Sequence, residues 1–165
     1  GDTVSPVMTT QFLTYVQETA LARWVAESSS LLGYPTILVL HTLGLAMLVG
    51  ASVAVDLRLL GVARGGPLWA TAPLFRLMWT GLGVNAASGA LLFIADAVHK
   101  AEQGVFWIKL ACVAGAVAMM VRTRSIVEAD ALGRSTSSSV GRGAAIVSLV
   151  LWVGAIVAGR LVAYR

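Results

Sequence analysis

Long apolar runs separated by short polar segments dominate the chain. Four of the runs reach or approach the roughly 20 residues that a helix needs to cross the hydrocarbon core of a bilayer. Backbone N–H and C=O groups cannot stay unpaired in lipid, so each run is predicted to be a helix. With their flanks, the predicted spans cover about 31–56, 74–98, 104–122 and 143–163.

The N-terminal segment, residues 10–27, has a different pattern. Apolar side chains recur there every four residues, at Phe12, Val16, Ala20 and Trp24. This spacing puts them on one face of a helix and predicts an amphipathic helix that lies at the membrane interface. The predicted fold is therefore an all-α integral membrane four-helix bundle, a single domain over 1–165, with an N-terminal interfacial helix.

Composition agrees with a chain surrounded by lipid. Hydrophobic residues make up 58% and charged residues 12%, whereas soluble domains are about a quarter charged. The net charge of +4 does not indicate nucleic-acid binding, because the basic residues lie at the ends of apolar runs. The lipid bilayer is the first predicted partner.

Basic residues predict the orientation. The first and third inter-helix loops with their flanks hold seven Lys and Arg residues, against four or five on the other side. Since basic loops stay cytoplasmic, both termini are predicted to be periplasmic in a bacterial inner (cytoplasmic) membrane. Rows of small residues, such as Gly81, Asn85 and Gly89, predict close helix packing and are compatible with an oligomer.

His41 is the principal candidate for chemistry. It lies inside the first span, in PTILVLHTLGLAMLVG, where 28 residues between Glu27 and Asp56 carry no formal charge. An ionisable group in a span usually faces the bundle interior and marks function. Gly44, one turn later, predicts room beside the imidazole for a flat group such as haem, for which histidine is a common axial ligand. The alternative is a structural histidine that is hydrogen-bonded to a neighbouring helix.

Lys109 lies about five residues into the third span, roughly 7–8 Å deep at 1.5 Å per residue. It could reach back to the headgroups, or it could meet His41 as a second iron ligand or a partner of a haem propionate. His99, three residues after Asp96, could form a carboxylate–histidine unit and supply the second ligand instead. The alternative for His99 is a solvated helix end.

The remaining ionisable residues give weaker indications of a functional site. Asp56 and Arg76 could form a structural ion pair across the first loop. A copper or zinc site from His41, His99, Asp96 and Cys112 lacks the close spacing of metal motifs. No phosphate-binding loop or nucleophile elbow occurs.

Several stretches together resemble an uncharacterised family of small bacterial four-helix membrane proteins, a domain of unknown function. They are FLTYVQETALARWVAES, PTILVLHTLGLAMLVGASVAVDLRLLG, GVFWIKL and LWVGAIVAGRLVAY. Leu38 stands where that family commonly has an acidic residue, and Val121-Arg122 where many members have a histidine. The span histidine and the later lysine are more distantly similar to CopD-type copper-resistance proteins and HemJ-type protoporphyrinogen oxidases. The HemJ resemblance implies haem b at His41 and Lys109.

The leading hypothesis is a haem-b-binding membrane protein that passes electrons near the periplasmic face. His41 would be the proximal ligand, Lys109 or His99 the sixth ligand or propionate partner, and Gly44 part of the pocket. A periplasmic cytochrome or a respiratory or photosynthetic complex would be the partner. One alternative is a cofactor-free structural or accessory subunit of a membrane complex, and another is a HemJ-like porphyrinogen oxidase. Whether the chain is an enzyme stays open at this point.

Overall fold

The computed structural model describes residues 6–27, 33–63, 66–134 and 138–163. These residues form seven α-helices and one short 3-10 helix, and they contain no β-strand. The α-helices are α1 (Pro6–Gln17), α2 (Ala20–Glu27), α3 (Tyr34–Leu59), α4 (Ala72–Ile94), α5 (Ala97–Glu102), α6 (Gly104–Ala131) and α7 (Ser138–Ala163). The 3-10 helix, Leu68–Thr71, leads directly into α4.

Four helices are long and apolar enough to cross a membrane. They cover Tyr34–Leu59, Leu68–Ile94, Gly104–Ala131 and Ser139–Val162. The chain is therefore a multi-pass membrane protein, and the predicted all-α four-helix bundle is confirmed.

The ends of the helices follow local sequence signals. Proline occupies the first turn of α3 and of α4, where its missing N–H costs nothing. Gly61 and Gly133, just past α3 and α6, have φ of 76° and 67°, which glycine adopts at little cost. α6 continues to Ala131, well beyond the predicted end of its span at residue 122. Hydropathy locates the part of a helix in lipid, but not its polar continuation outside.

The bundle is built from two tight helix pairs, α3 with α4 and α6 with α7, joined mainly by contacts between α3 and α7. Its core contains large buried side chains from all four helices, including Leu48, Val55, Met78, Met120 and Trp152. By contrast, α4 and α6 contact each other over a short stretch only. The arrangement leaves space between these two helices.

The α3–α4 pair is held at backbone distance by two glycines. A Cβ atom on Gly44 would lie 2.7 Å from the backbone nitrogen of Asn85, and one on Gly81 would lie 2.7 Å from that of Leu48. Real side chains do not tolerate such separations. The predicted close packing through small residues is confirmed at Gly81, and it explains Gly44 as well.

The N-terminal segment forms two helices where the sequence predicted one. The break is at Glu18 and Thr19, and the Thr19 hydroxyl accepts the N–H of Ala22 at 3.3 Å, which caps α2. Val25 is buried against the start of α3 and the end of α4, and the Gln17 side chain accepts the N–H of Val98 in α5. This end of the bundle, where α5 lies, is called the α5 end below. The helix pair covers it.

Candidate cofactor site

A cleft of about 620 Å³ enters the bundle at the α5 end. All four spanning helices and α5 contribute to its wall. The ionisable residues in the wall include His41, Lys100 and Lys109, and its aromatic residues are Tyr34, Phe93 and Phe106. The Phe93 and Phe106 rings stack at 5.2 Å between centroids, which joins α4 to α6 at this level. The size is typical of small-molecule sites.

The imidazole of His41 is held by α4. Its Nδ1 lies 3.0 Å from the carbonyl oxygen of Asn85 and 3.1 Å from the hydroxyl oxygen of Ser88. A carbonyl oxygen only accepts, so Nδ1 carries the proton and donates it. Nε2 then keeps a free lone pair, and it has no hydrogen bond to any residue that the structure describes. This is the form in which histidine binds metals.

Asn85 also makes a second hydrogen bond to the turn of α3 that carries His41. Its side-chain amide donates to the backbone carbonyl of His41 at 2.9 Å, while the Ser88 hydroxyl donates to the Val84 carbonyl at 2.6 Å. Sequence reasoning counted Asn85 only as a small interface residue and did not consider Ser88. The available signal was a pair of polar residues three positions apart in an otherwise apolar span.

The space beside the imidazole is provided by Gly89 and not by Gly44. A Cβ atom on Gly89 would lie 3.1 Å from Cε1 of His41 and 3.4 Å from Nδ1. The expected role of Gly44 in the pocket is wrong, because that glycine faces the backbone of α4 and is absent from the wall of the cleft. One helical turn separates Gly44 from His41, but the neighbouring helix fills the space there.

Lys109 reaches the same cleft from α6. Its side chain lies against Gly159 of α7, where a Cβ atom would be 3.5 Å from Cε and 3.7 Å from Nζ of the lysine. The structure therefore brings the side chains of His41 and Lys109 to one cleft.

His99 lies at the rim of the cleft and is exposed. Its Nε2 is 3.0 Å from the side-chain amide of Gln103. The expected carboxylate–histidine unit with Asp96 is not formed, because the helix breaks between α4 and α5 and Asp96 precedes the first residue of α5. Asp96 instead pairs with Lys100 at 3.9 Å.

Lys100 is the third basic group in the wall. Its ammonium donates to the carbonyl of Leu92 at the end of α4. Burial lowers the pKa of the Lys100 ammonium, and the nearby Asp96 carboxylate acts in the opposite direction. The cleft thus combines basic groups at its mouth with an aromatic and apolar interior.

Asp56 is not part of this site. The residue is 1% exposed, its Oδ2 lies 3.5 Å from the hydroxyl oxygen of Ser52, and that oxygen lies 3.4 Å from the hydroxyl oxygen of Ser148. The expected ion pair with Arg76 does not form: Asp56 is buried, whereas Arg76 is exposed.

In the part of the chain that the structure describes, no three His, Cys, Asp or Glu side chains converge as a metal-binding group. Cys112, whose spacing from the histidines did not favour a copper or zinc site, packs against Gly154 of α7. The cleft wall contains the imidazole of His41 and the exposed imidazole of His99, together with the amines of Lys100 and Lys109 and the carboxylate of Asp96.

The fold and the cleft define the class: a multi-pass helical membrane protein with a histidine-containing cleft at one end of its bundle. No family model, curated protein or solved structure matches the chain.

Proposed function

We propose that the protein binds haem b in the cleft at the α5 end and passes electrons there, with His41 as the proximal iron ligand. The observation that carries the proposal is the donation from His41 Nδ1 to the Asn85 carbonyl. That hydrogen bond leaves Nε2 with a lone pair, fixes the orientation of the ring, and raises its basicity as a ligand.

The residues of the cleft fit a porphyrin in three respects. Stacked Phe93 and Phe106 supply flat apolar contacts, and the volume falls within the usual range of about 300–1,000 Å³ for ligand pockets. Lys100 and Lys109 supply positive charge for two propionate groups. Gly89, without a side chain, lets the imidazole of His41 pack directly against α4 at the wall of the cleft. Haem would supply one-electron redox chemistry, and these residues would bind and orient it and exclude water.

For the second ligand, the geometry favours Lys109 over His99. Lys109 is partly buried and packs within the bundle against Gly159. His99 is exposed, and its Nε2 is already hydrogen-bonded to Gln103. In this proposal His99 stays at the rim, and Lys109 binds the iron or a propionate.

The distribution of basic residues supports an orientation in which the α5 end faces the periplasm of a bacterial inner membrane. A haem there would exchange electrons with a periplasmic cytochrome or with a larger respiratory or photosynthetic complex. The resemblance to the uncharacterised four-helix family, and more distantly to CopD-type and HemJ-type proteins, is part of this proposal.

One observation favours a second candidate, a cofactor-free accessory subunit. His41 and Asn85 bond each other's backbone carbonyls and so join α3 to α4. In that case the imidazole would serve helix packing, and the protein would act through contacts with a larger complex.

Titration of the purified chain with haemin separates the two candidates. The proposal predicts saturation at one haem per chain in wild type and in Thr42→Ala, and loss of binding in His41→Ala. Thr42 is the matched control, since it is the next residue of α3 and its hydroxyl bonds only its own helix. Absence of saturable haem binding in wild type would favour the accessory subunit. Equal stoichiometric binding by His41→Ala and wild type would exclude His41 as the ligand.

A further inference from the structure

A second polar cluster lies inside the bundle, far from the cleft. Asp56 is fifteen residues after His41 on α3, which corresponds to about 22 Å along the helix at 1.5 Å per residue. The carboxylate is 1% exposed, and the hydroxyls of Ser52 and Ser148 beside it belong to residues that are 3% and 1% exposed. Ionisable residues within membrane helices are rare and usually mark a functional site.

The hydrogen bonds of the cluster leave the carboxylate poorly satisfied. Trp152 donates its indole N–H to the Ser52 oxygen at 2.9 Å, and that oxygen lies 3.4 Å from the Ser148 oxygen and 3.5 Å from Oδ2 of Asp56. Each serine has one hydroxyl proton to give. The carboxylate therefore receives at most two hydroxyl hydrogen bonds, and the one from Ser52 is longer than the usual 2.5–3.0 Å.

The charged side chains on the surrounding elements do not compensate the buried carboxylate. At this end of the bundle, the charged side chains of α4, α6 and α7 are exposed; they are Arg76, Arg122, Arg124, Glu128, Asp130 and Arg142. Arg124 pairs with Glu128 at 2.7 Å. On α3 itself, Arg58 donates to the carbonyl of Gly66 in the following loop. Among the described residues, only the two serine hydroxyls are placed to donate to Asp56, so an ionised carboxylate there would be desolvated with little compensation, which is strongly unfavourable.

A proton resolves this imbalance. A neutral carboxyl group donates its O–H to one serine oxygen and accepts the hydroxyl of the other, so every polar atom of the cluster can be paired. The site also has a short route to water, because α3 ends at Leu59, three residues further on.

We propose that Asp56, Ser52 and Ser148 form a proton-binding site at the loop end of the bundle. The carboxylate takes up one proton from water and becomes a carboxylic acid, and release of that proton restores the anion. No oxidant or reductant takes part in the step. The inference does not depend on haem in the cleft.

Infrared spectroscopy of the full-length protein in detergent tests the proposal directly. A protonated carboxyl has a C=O stretching band that a carboxylate lacks. We expect this band at pH 5 in wild type and in Asp130→Asn, its decrease as the pH is raised, and its loss in Asp56→Asn. Asp130 is the matched control because its side chain is exposed at the end of α6. The same absorbance in Asp56→Asn and wild type would overturn the proposal.

Ser148→Ala provides a second test that retains the carboxyl group. Removal of one hydroxyl partner should shift the band to higher frequency, since a less hydrogen-bonded C=O is stiffer. An unshifted band would contradict the assignment of the proton to this cluster. Loss of the wild-type band when sodium replaces potassium at constant ionic strength would assign a metal cation to the site in place of the proton, and would also overturn it.

Discussion

At the scale of single residues, the ring of His41 has two different sides. One side is fixed to α4 by the Asn85 carbonyl and the Ser88 hydroxyl, and the other belongs to the wall of the cleft. Gly89 permits this arrangement, because a Cβ atom at that position would lie only 3.1 Å from Cε1 of the imidazole.

Gly89→Ala should therefore weaken haem binding with little loss of fold. The added methyl group must displace the ring, and overpacking of this kind costs roughly 1–3 kcal/mol, which corresponds to about fivefold to 150-fold in the dissociation constant. Haemin titration measures it. Gly83→Ala is the control, since a Cβ atom on that glycine of the same helix meets nothing within 4 Å. Equal affinities of the two variants would contradict the proposed position of the haem.

The two candidates for the second ligand give opposite expectations. Lys109→Met should alter the visible spectrum of the haem-loaded protein or lower its haem affinity, because a cationic amine is removed from the cleft. His99→Ala should change neither, because its imidazole is exposed and bonded to Gln103. An altered spectrum in His99→Ala alone would transfer the ligand role to His99.

At the scale of elements, the α3–α4 pair depends on close approach of the two backbones. Gly44 and Gly81 bring the two backbones together at the level of His41, so the distance between these helices also sets the position of the imidazole. The site and the helix pair cannot be perturbed separately here.

Gly44→Ala should separate α3 from α4 and destabilise the protein by roughly 1–3 kcal/mol. Gly50→Ala, on the same helix, should be neutral or slightly stabilising, because nothing lies within 4 Å of its added Cβ atom and alanine favours helix. Thermal unfolding in detergent measures both. A lower stability of Gly50→Ala than of Gly44→Ala would contradict this packing.

The sequence predicts the spanning helices well and their ends less well. Twenty apolar residues have one solution in lipid, whereas the polar extension of α6 to Ala131 depends on helix propensity and on pairs such as Arg124 with Glu128. The break between α4 and α5 separated His99 from Asp96 and could not be read from spacing.

The candidate site, like the helices, could be predicted from the sequence only in part. His41 and Lys109 stand out in the sequence because they are ionisable within apolar runs. The partners Asn85, Ser88 and Gly89 depend on the register between α3 and α4, which no local pattern specifies. Asp56 looked like a residue of the helix end until the packing of α7 placed Ser148 beside it.

At the scale of the whole molecule, the proposed orientation puts the cleft and the Asp56 cluster on opposite sides of the membrane. Single-cysteine variants in a Cys112→Ala background test it in intact cells. A membrane-impermeant maleimide should label Glu102→Cys, in the exposed part of α5, and should not label Ala63→Cys, in the loop after α3. The reverse labelling pattern would show that the orientation of the protein in the membrane is the opposite of the proposed one.

The central claim is that His41 ligates a redox-active haem, and its most direct test is the visible absorption spectrum of the purified protein before and after reduction with dithionite. The protein should be expressed with ample haem and compared with His41→Ala. We predict a Soret band that shifts on reduction in wild type and is lost or altered in the variant. A flat visible spectrum from folded wild-type protein would contradict the account, and it would leave His41 as a residue that joins α3 to α4.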